Sequence, residues 1–250
     1  MVRLSVNVNK VATLRNARGG RSPRVLDAVD VCLSAGAPGI TVHPRADRRH
    51  ITPEDVRDIS RALEGRRSEV EYNIEGDPRP DLLALVREVG PDQCTLVPVV
   101  PGEITSQAGW TPGPHADRLP AIVGDLRSRG IRVSLFVDPQ REAIRWAASI
   151  GADRVELYTE PFARAFERGA DEAIRSFELY AEAARLARSL GLGINGGHDL
   201  DLDNLVVFRD LPHLDEVSIG HAIVSRALFV GLDTIVRQYL AVLAATGVPA

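Results

Sequence analysis

The chain has 250 residues, 44% of them hydrophobic and 26% charged, with a net charge of −4. That composition supports a large core and excludes a disordered or fibrous chain. The negative balance argues against a nucleic-acid partner, which needs a broad positive field.

No apolar run is long enough to span a bilayer, and MVRLSVNVNK is too short and polar for a signal peptide. The expectation is a cytoplasmic protein without a membrane partner. Cys32 and Cys94 sit in apolar runs without metal-like spacing and read as buried thiols.

In chain order, short β-branched runs alternate with amphipathic segments. A strand at Leu4–Asn9 leads into a basic stretch, NKVATLRNARGGR, with Lys10, Arg15, Arg18 and Arg21. A helix at Pro23–Ala35 follows. Strand Gly39–His43 precedes helix Pro53–Leu63, and strand Val70–Glu75 precedes helix Pro80–Val89. After strand Cys94–Pro98, the stretch Val100–His115 has no pattern and reads as a lid-like loop. Helix Ala116–Arg129, strand Arg132–Asp138 and helix Pro139–Ile150 come next. Strand Arg154–Thr159 and helix Asp171–Leu190, then strand Leu192–Asn195 and helix Asp203–Phe208, continue the rhythm. Strand Glu216–Ile219 and helix Ala222–Ala245 end it. Proline in the first turn or a Thr, Ser or Asp cap marks several helix starts.

Eight strand–helix units predict a parallel sheet, and the length fits one (β/α)8 TIM barrel over residues 1–250, with short extra helices. An open doubly wound sheet is the alternative, but its Gly-x-Gly-x-x-Gly fingerprint is absent.

Strand side chains alternate faces. Leu4, Val6 and Val8 oppose Ser5, Asn7 and Asn9. Val70, Tyr72 and Ile74 oppose Glu71, Asn73 and Glu75; Val155 and Leu157 oppose Glu156 and Tyr158. In a barrel the apolar face packs on helices and the polar face points inward. Buried carboxylates are costly unless paired or used, so Glu71 and Glu156 are either neutralised by interior arginines or functional.

His43, His198 and His221 each follow a strand, at the end where barrel enzymes build their sites. With Glu71 they offer acid–base chemistry near neutral pH. "NGGHD" and "SIGHA" precede the last two helices, where this fold places phosphate. The basic stretch around Lys10 is a second candidate anion site. Metal is a weaker reading, since His-x-His, His-Glu-x-x-His and Cys-x-x-Cys are all missing.

The motifs "VNVNKVATLRNARGG", "GITVHPRADRRHIT", "EYNIEG", "CTLVP", "RVELYTEP", "INGGHDL" and "VSIGHAI" together resemble the pyridoxine 5′-phosphate synthase family, over almost the whole chain. The resemblance implies a barrel that condenses 1-deoxy-D-xylulose 5-phosphate with 3-amino-2-oxopropyl phosphate, without metal or organic cofactor, as a homo-octamer. It implies His43 and Glu71 as general bases, His198 as proton donor and Glu156 as a charge-stabilising group. Asn7, Arg18, Gly220 and His221 would hold the aminoketone phosphate; Arg45, His50 and Thr105 would hold the deoxyxylulose phosphate. Two positions depart from the family pattern: Asn9-Lys10 replaces Asp-His, and Asp199 replaces a glycine. Asn9, Lys10 and Asp199 are retained as substrate-binding candidates. The alternatives are a metal-dependent phosphosugar isomerase or aldolase, and a non-catalytic phosphometabolite-binding barrel.

Overall fold

The structure is a computed structural model, described here for residues 1–98 and 108–245. The strands are β1 (Arg3–Asn7), β2 (Gly39–Val42), β3 (Glu71–Gly76), β4 (Gln93–Leu96), β5 (Arg132–Val137), β6 (Arg154–Tyr158), β7 (Gly193–Gly197) and β8 (Leu214–Ile219). All neighbours are parallel, and β8 pairs with β1 to close the barrel. The helices are α1 (Asn9–Asn16), α2 (Val25–Ser34), α3 (Pro53–Leu63), α4 (Pro80–Val89), α5 (Leu119–Ser128) and α6 (Arg141–Ser149). They continue with α7 (Glu160–Arg168), α8 (Ala170–Ser189), α9 (Leu202–Phe208), α10 (His221–Val230) and α11 (Leu232–Ala244).

The expected (β/α)8 barrel is therefore present, with three local differences. The basic stretch after β1 is helical: Val11 and Ala12 bury one side of α1. The segment between β6 and α8 forms α7, whose Phe162 joins a cluster with Tyr180 and Phe208, at centroid distances of 6.1 and 5.1 Å. The expected final helix is broken at Gly231, whose φ of 85° does not fit an α-helix.

Strand parity places the core. Leu4, Val6, Ile40, Val42, Tyr72, Ile74, Val133, Leu135, Val155 and Leu157 are buried between sheet and helices. The opposite face is polar. Ser5 Oγ bonds Thr41 Oγ1 at 2.6 Å, and Thr95 Oγ1 donates to Asn73 Oδ1 at 3.1 Å. These bonds replace the water lost when the barrel closes.

Helix starts are locally encoded. Thr52 and Asp55 form a capping box at α3, with Pro53 at its first position. Asp201 and Asn204 do the same at α9.

One device repeats at the N-terminal end of the barrel. Asp92, entering β4, accepts the Tyr72 N–H of β3 at 2.7 Å. Asp153, entering β6, accepts the Val133 N–H of β5 at 2.9 Å, and Asp215 accepts the Ile194 N–H of β7 at 2.8 Å. Each carboxylate ties a strand to the segment that starts its neighbour. Asp153→Ala leaves the Val133 amide without its acceptor, and should lower unfolding free energy by about 1–3 kcal/mol in chemical denaturation. Loss of Arg127, the exposed ion-pair partner of Asp153, should cost under about 1 kcal/mol.

Candidate active site

The C-terminal ends of the strands form a polar rim. β2 leads to His43 and Arg45, and the segment before α3 returns with His50. All three are buried, and the His43 and His50 rings meet edge-on with centroids 6.1 Å apart. Asn9, the first residue of α1, accepts the His43 backbone N–H at its Oδ1, 2.9 Å away. Asn9 thus orients the catalytic candidate; it does not continue β1 as an inward strand residue. The Asn9 N–H is in turn held by Asn7 Oδ1 at 3.0 Å.

Burial pushes the His43 imidazole down to about 3, helped by His50, Arg45 and Arg79. His50 falls to about 4 through burial, then Arg45 and Lys10. Both rings are therefore neutral near pH 7. His43 Nε2 and His50 Nδ1 are buried without a hydrogen-bond partner among the described residues. Neutral imidazole nitrogens of this kind can accept protons or bind a ligand.

The carboxylate at this rim is Glu75. Its Oε1 receives Ser218 Oγ and its Oε2 receives Asn7 Nδ2, each at 3.4 Å. Burial raises Glu75 to about 8; Ser218 opposes this, and Glu216 adds to it. Glu156 of β6 is also buried and is raised well above the usual carboxylate range, by burial and then by Glu75. Burial and the repulsion between them favour the protonated form of both carboxyls.

Glu71 lies elsewhere. It begins β3, at the opposite end of the barrel from His43, and pairs with Arg132 of β5, which also reaches Gln93 Oε1 at 2.9 Å. The expectation of Glu71 as a rim base is thus replaced by a structural ion pair. Glu75, four residues on and on the same face, occupies the rim instead. Strand direction was the signal: the last inward carboxylate of β3 faces the site, not the first.

Val97, Phe136 and Tyr158 form a separate apolar cluster at the strand ends. Tyr158 packs edge-on against His198, 5.2 Å between centroids. His198 and Asp199 follow β7 with positive φ values of 89° and 57°, and His198 Nδ1 bonds Asp199 Oδ2 at 3.0 Å. The His198 bond holds the Asp199 carboxyl below its usual range. Thr159 Oγ1 donates to the carbonyls of Gly197 (2.7 Å) and His198, fixing this turn.

Gly220 and His221 open α10. A Cβ at Gly220 would lie 2.7 Å from the Asn7 carbonyl, so the α10 N-terminus packs directly on β1. Lys10 is exposed on the first turn of α1, and Arg18 is exposed on the turn that follows. Thr105 lies outside the described residues. The end of that loop is anchored: Gly109 N–H donates to Asp138 Oδ2 at 3.1 Å, and Trp110 Nε1 to the Leu96 carbonyl at 3.0 Å. No cluster of metal-ligand type occurs among the described residues, and no helix of the described residues is long and apolar enough to cross a membrane.

A polar rim at the strand ends of a (β/α)8 barrel is an arrangement that can carry acid–base chemistry. The model of the family "Pyridoxal phosphate biosynthesis protein PdxJ" matches residues 4–245, and the chain belongs to that family. A pyridoxine 5′-phosphate synthase of Christiangramia forsetii is 50% identical over 244 residues, covering 97% of this chain and 100% of its own. The Porphyromonas gingivalis synthase is 50% identical over 240 residues, covering 96% and 98%. Among solved structures, a tryptophan synthase α-subunit from Pyrococcus furiosus shares the barrel at TM-score 0.62 and 14% identity, covering 97% of this chain and 96% of its own. A phosphoribosyl anthranilate isomerase from Thermus thermophilus does so at 0.59 and 18%, covering 97% and 98%.

Two outcomes test this geometry. A Cβ at Gly197 would overlap Glu156 Oε1, so Gly197→Ala should displace that carboxyl and lower kcat at least tenfold while the circular dichroism spectrum is kept. His50 is neutral when folded but takes up a proton below about pH 6.5 when unfolded. Its stabilising contribution is present above 6.5 and lost as pH falls toward 4. In urea titrations across that window, His50→Asn should flatten the decline by one proton, about 1.4 kcal/mol per pH unit.

Proposed function

We propose that the chain condenses 1-deoxy-D-xylulose 5-phosphate with 3-amino-2-oxopropyl phosphate, forming pyridoxine 5′-phosphate, inorganic phosphate and water. The observation that carries this reading is the shared rim: a neutral, buried His43, the protonated pair Glu75 and Glu156, and His198 across an apolar wall. Condensation, phosphate expulsion and ring closure each need a proton taken or given, and several groups around one cavity can share them.

In this reading His43 is the first general base, with a nitrogen free of partners among the described residues. Glu75 takes the role expected of Glu71, giving up and recovering its proton under the control of Ser218 and Asn7. Glu156 stays neutral beside it and supplies a hydrogen bond to developing negative charge. His198, oriented by Asp199 and Tyr158, delivers the proton that accompanies water loss. One phosphate lies at the α10 N-terminus, against Gly220 and His221, with Asn7 and Arg18 as further contacts. The other lies at Arg45 and His50, with Lys10 on the rim above, and with Thr105 from the segment outside the described residues.

The apolar groove of about 580 Å³ between α1, α2 and α10, lined by Leu14, Val31 and Leu228, supports self-association. Leu228 is 70% exposed and its neighbour Phe229 83%. We assign this face to a homo-oligomer, an octamer in the family reading, located in the cytoplasm.

The test is a two-substrate assay. Phosphate release and product fluorescence should require both ketone phosphates and resist chelator. Turnover of one sugar phosphate alone, abolished by chelator, would support an isomerase or aldolase instead; binding without turnover would support a passive phosphometabolite-binding barrel. Glu75→Gln should lower kcat by about 10²-fold or more, whereas Glu71→Gln should leave kcat within a few-fold and lower thermal stability.

A further inference from the structure

The lower barrel carries a buried carboxyl that the proposed reaction does not use. Glu216 on β8 is 1% exposed. The register sets its neighbours: Arg3 of β1 on one side and Asn195 of β7 on the other. Asn195 in turn sits opposite Glu156 of β6. Adjacent strands are about 4.8 Å apart, so the backbones of Glu156 and Glu216 flank Asn195 at about 10 Å from each other.

This row contains four buried polar atoms with no hydrogen-bond partner among the described residues: Arg3 Nε, Glu156 Oε2, Asn195 Nδ2 and Glu216 Oε2. Asn195 is fixed at its other end, because Arg154 Nη1 donates to its Oδ1 at 2.9 Å. Of the remaining charges around Glu216, Arg3 keeps a buried Nε with no hydrogen-bond partner among the described residues. Glu71 and Arg132 pair with each other, and Arg3 donates to the Pro38 carbonyl at 2.9 Å. Ser218, the next inward residue on β8, turns to Glu75.

We propose that Glu216 is a positioning residue: acting across the β6–β7–β8 row, it holds on Glu156 the proton that the reaction requires. This rests on the function proposed above, in which Glu156 works as a neutral carboxyl. The balance of charge supports it. Burial, then Glu71, pushes Glu216 up to about 8, with Arg154 pulling the other way and Glu156 adding to the rise. Once Glu216 ionises, its negative charge opposes ionisation of Glu156 across Asn195 in the same row. Glu156 therefore keeps its proton to a higher pH than the upper pair alone would allow. Glu75 is raised by Glu216 as well, so a second rim carboxyl feels the lower charge directly.

The experiment is the pH profile of kcat for Glu216→Gln, which keeps shape and removes the charge. The alkaline limb should move about one pH unit to the acid side, a size set by like charges at this separation in a protein interior. KM for both substrates should stay within twofold. An unchanged limb, with or without a fall in thermal stability, overturns the proposal.

A second measurement needs neither the variant nor turnover. In the unaltered protein with ¹³C-labelled glutamate carboxyls, Glu156 and Glu216 should titrate as an interacting pair above pH 7. Independent titration in the ordinary carboxylate range overturns the proposal even if the enzyme is active. A paired titration in a protein that fails the two-substrate assay would refute the function and leave the pairing standing.

Discussion

Closing a parallel sheet into a barrel traps whichever face points inward, and here that face is polar. Everything else in the molecule answers to this constraint. At mid-height the answer is a set of small side chains bonding one another, Ser5 to Thr41 and Asn73 to Thr95. At the N-terminal end it is charge neutralisation, with Arg132 against Glu71 and Gln93. At the C-terminal end His43 Nε2, His50 Nδ1 and Glu156 Oε2 have no partner among the described residues, and burial then changes protonation rather than merely costing stability. His43 is kept neutral by the same desolvation that keeps Glu75 and Glu156 protonated. One environment thus produces bases and acids side by side, because desolvation disfavours charge of either sign.

Much of this was legible in the residues. The rhythm of short β-branched runs located all eight strands, and period-two alternation gave the buried faces of β1, β3 and β6, because a strand packed on helices keeps one face apolar. Three histidines at strand ends marked the rim. The errors have physical causes. Helix α1 was hidden because only Val11 and Ala12 pack inward in an otherwise polar segment. Gly231 lies in an apolar run whose periodicity continues past it, so the break depends on one φ angle. Helix α7 starts directly after Thr159, between the expected strand Arg154–Thr159 and the expected helix Asp171–Leu190, in a stretch assigned to neither.

The placement of Glu71 is more instructive. Two glutamates share one face of one strand, separated by four residues, and composition cannot rank them. Position along the strand can, since only the later one reaches the end where the chain's histidines gather. The other has an arginine partner on β5, a contact that sequence spacing does not reveal because the two residues are 61 apart. Asn9 shows the same limit from another side. The family resemblance placed it among the substrate contacts, and the structure shows its Oδ1 holding the His43 backbone N–H, a contact spacing does not reveal.

The aspartates at the barrel's other end have a consequence of their own. Asp92, Asp153 and Asp215 bond amides 20, 20 and 21 residues earlier. Each closes a loop of nearly constant length around one helix, so each strand–helix–strand unit is pinned locally, independent of its distant neighbours. Such pins lie far from the rim loops. The end that binds and reacts can therefore exchange residues while the scaffold's dimensions stay the same. Rim chemistry and barrel geometry are in this way free to evolve at different rates.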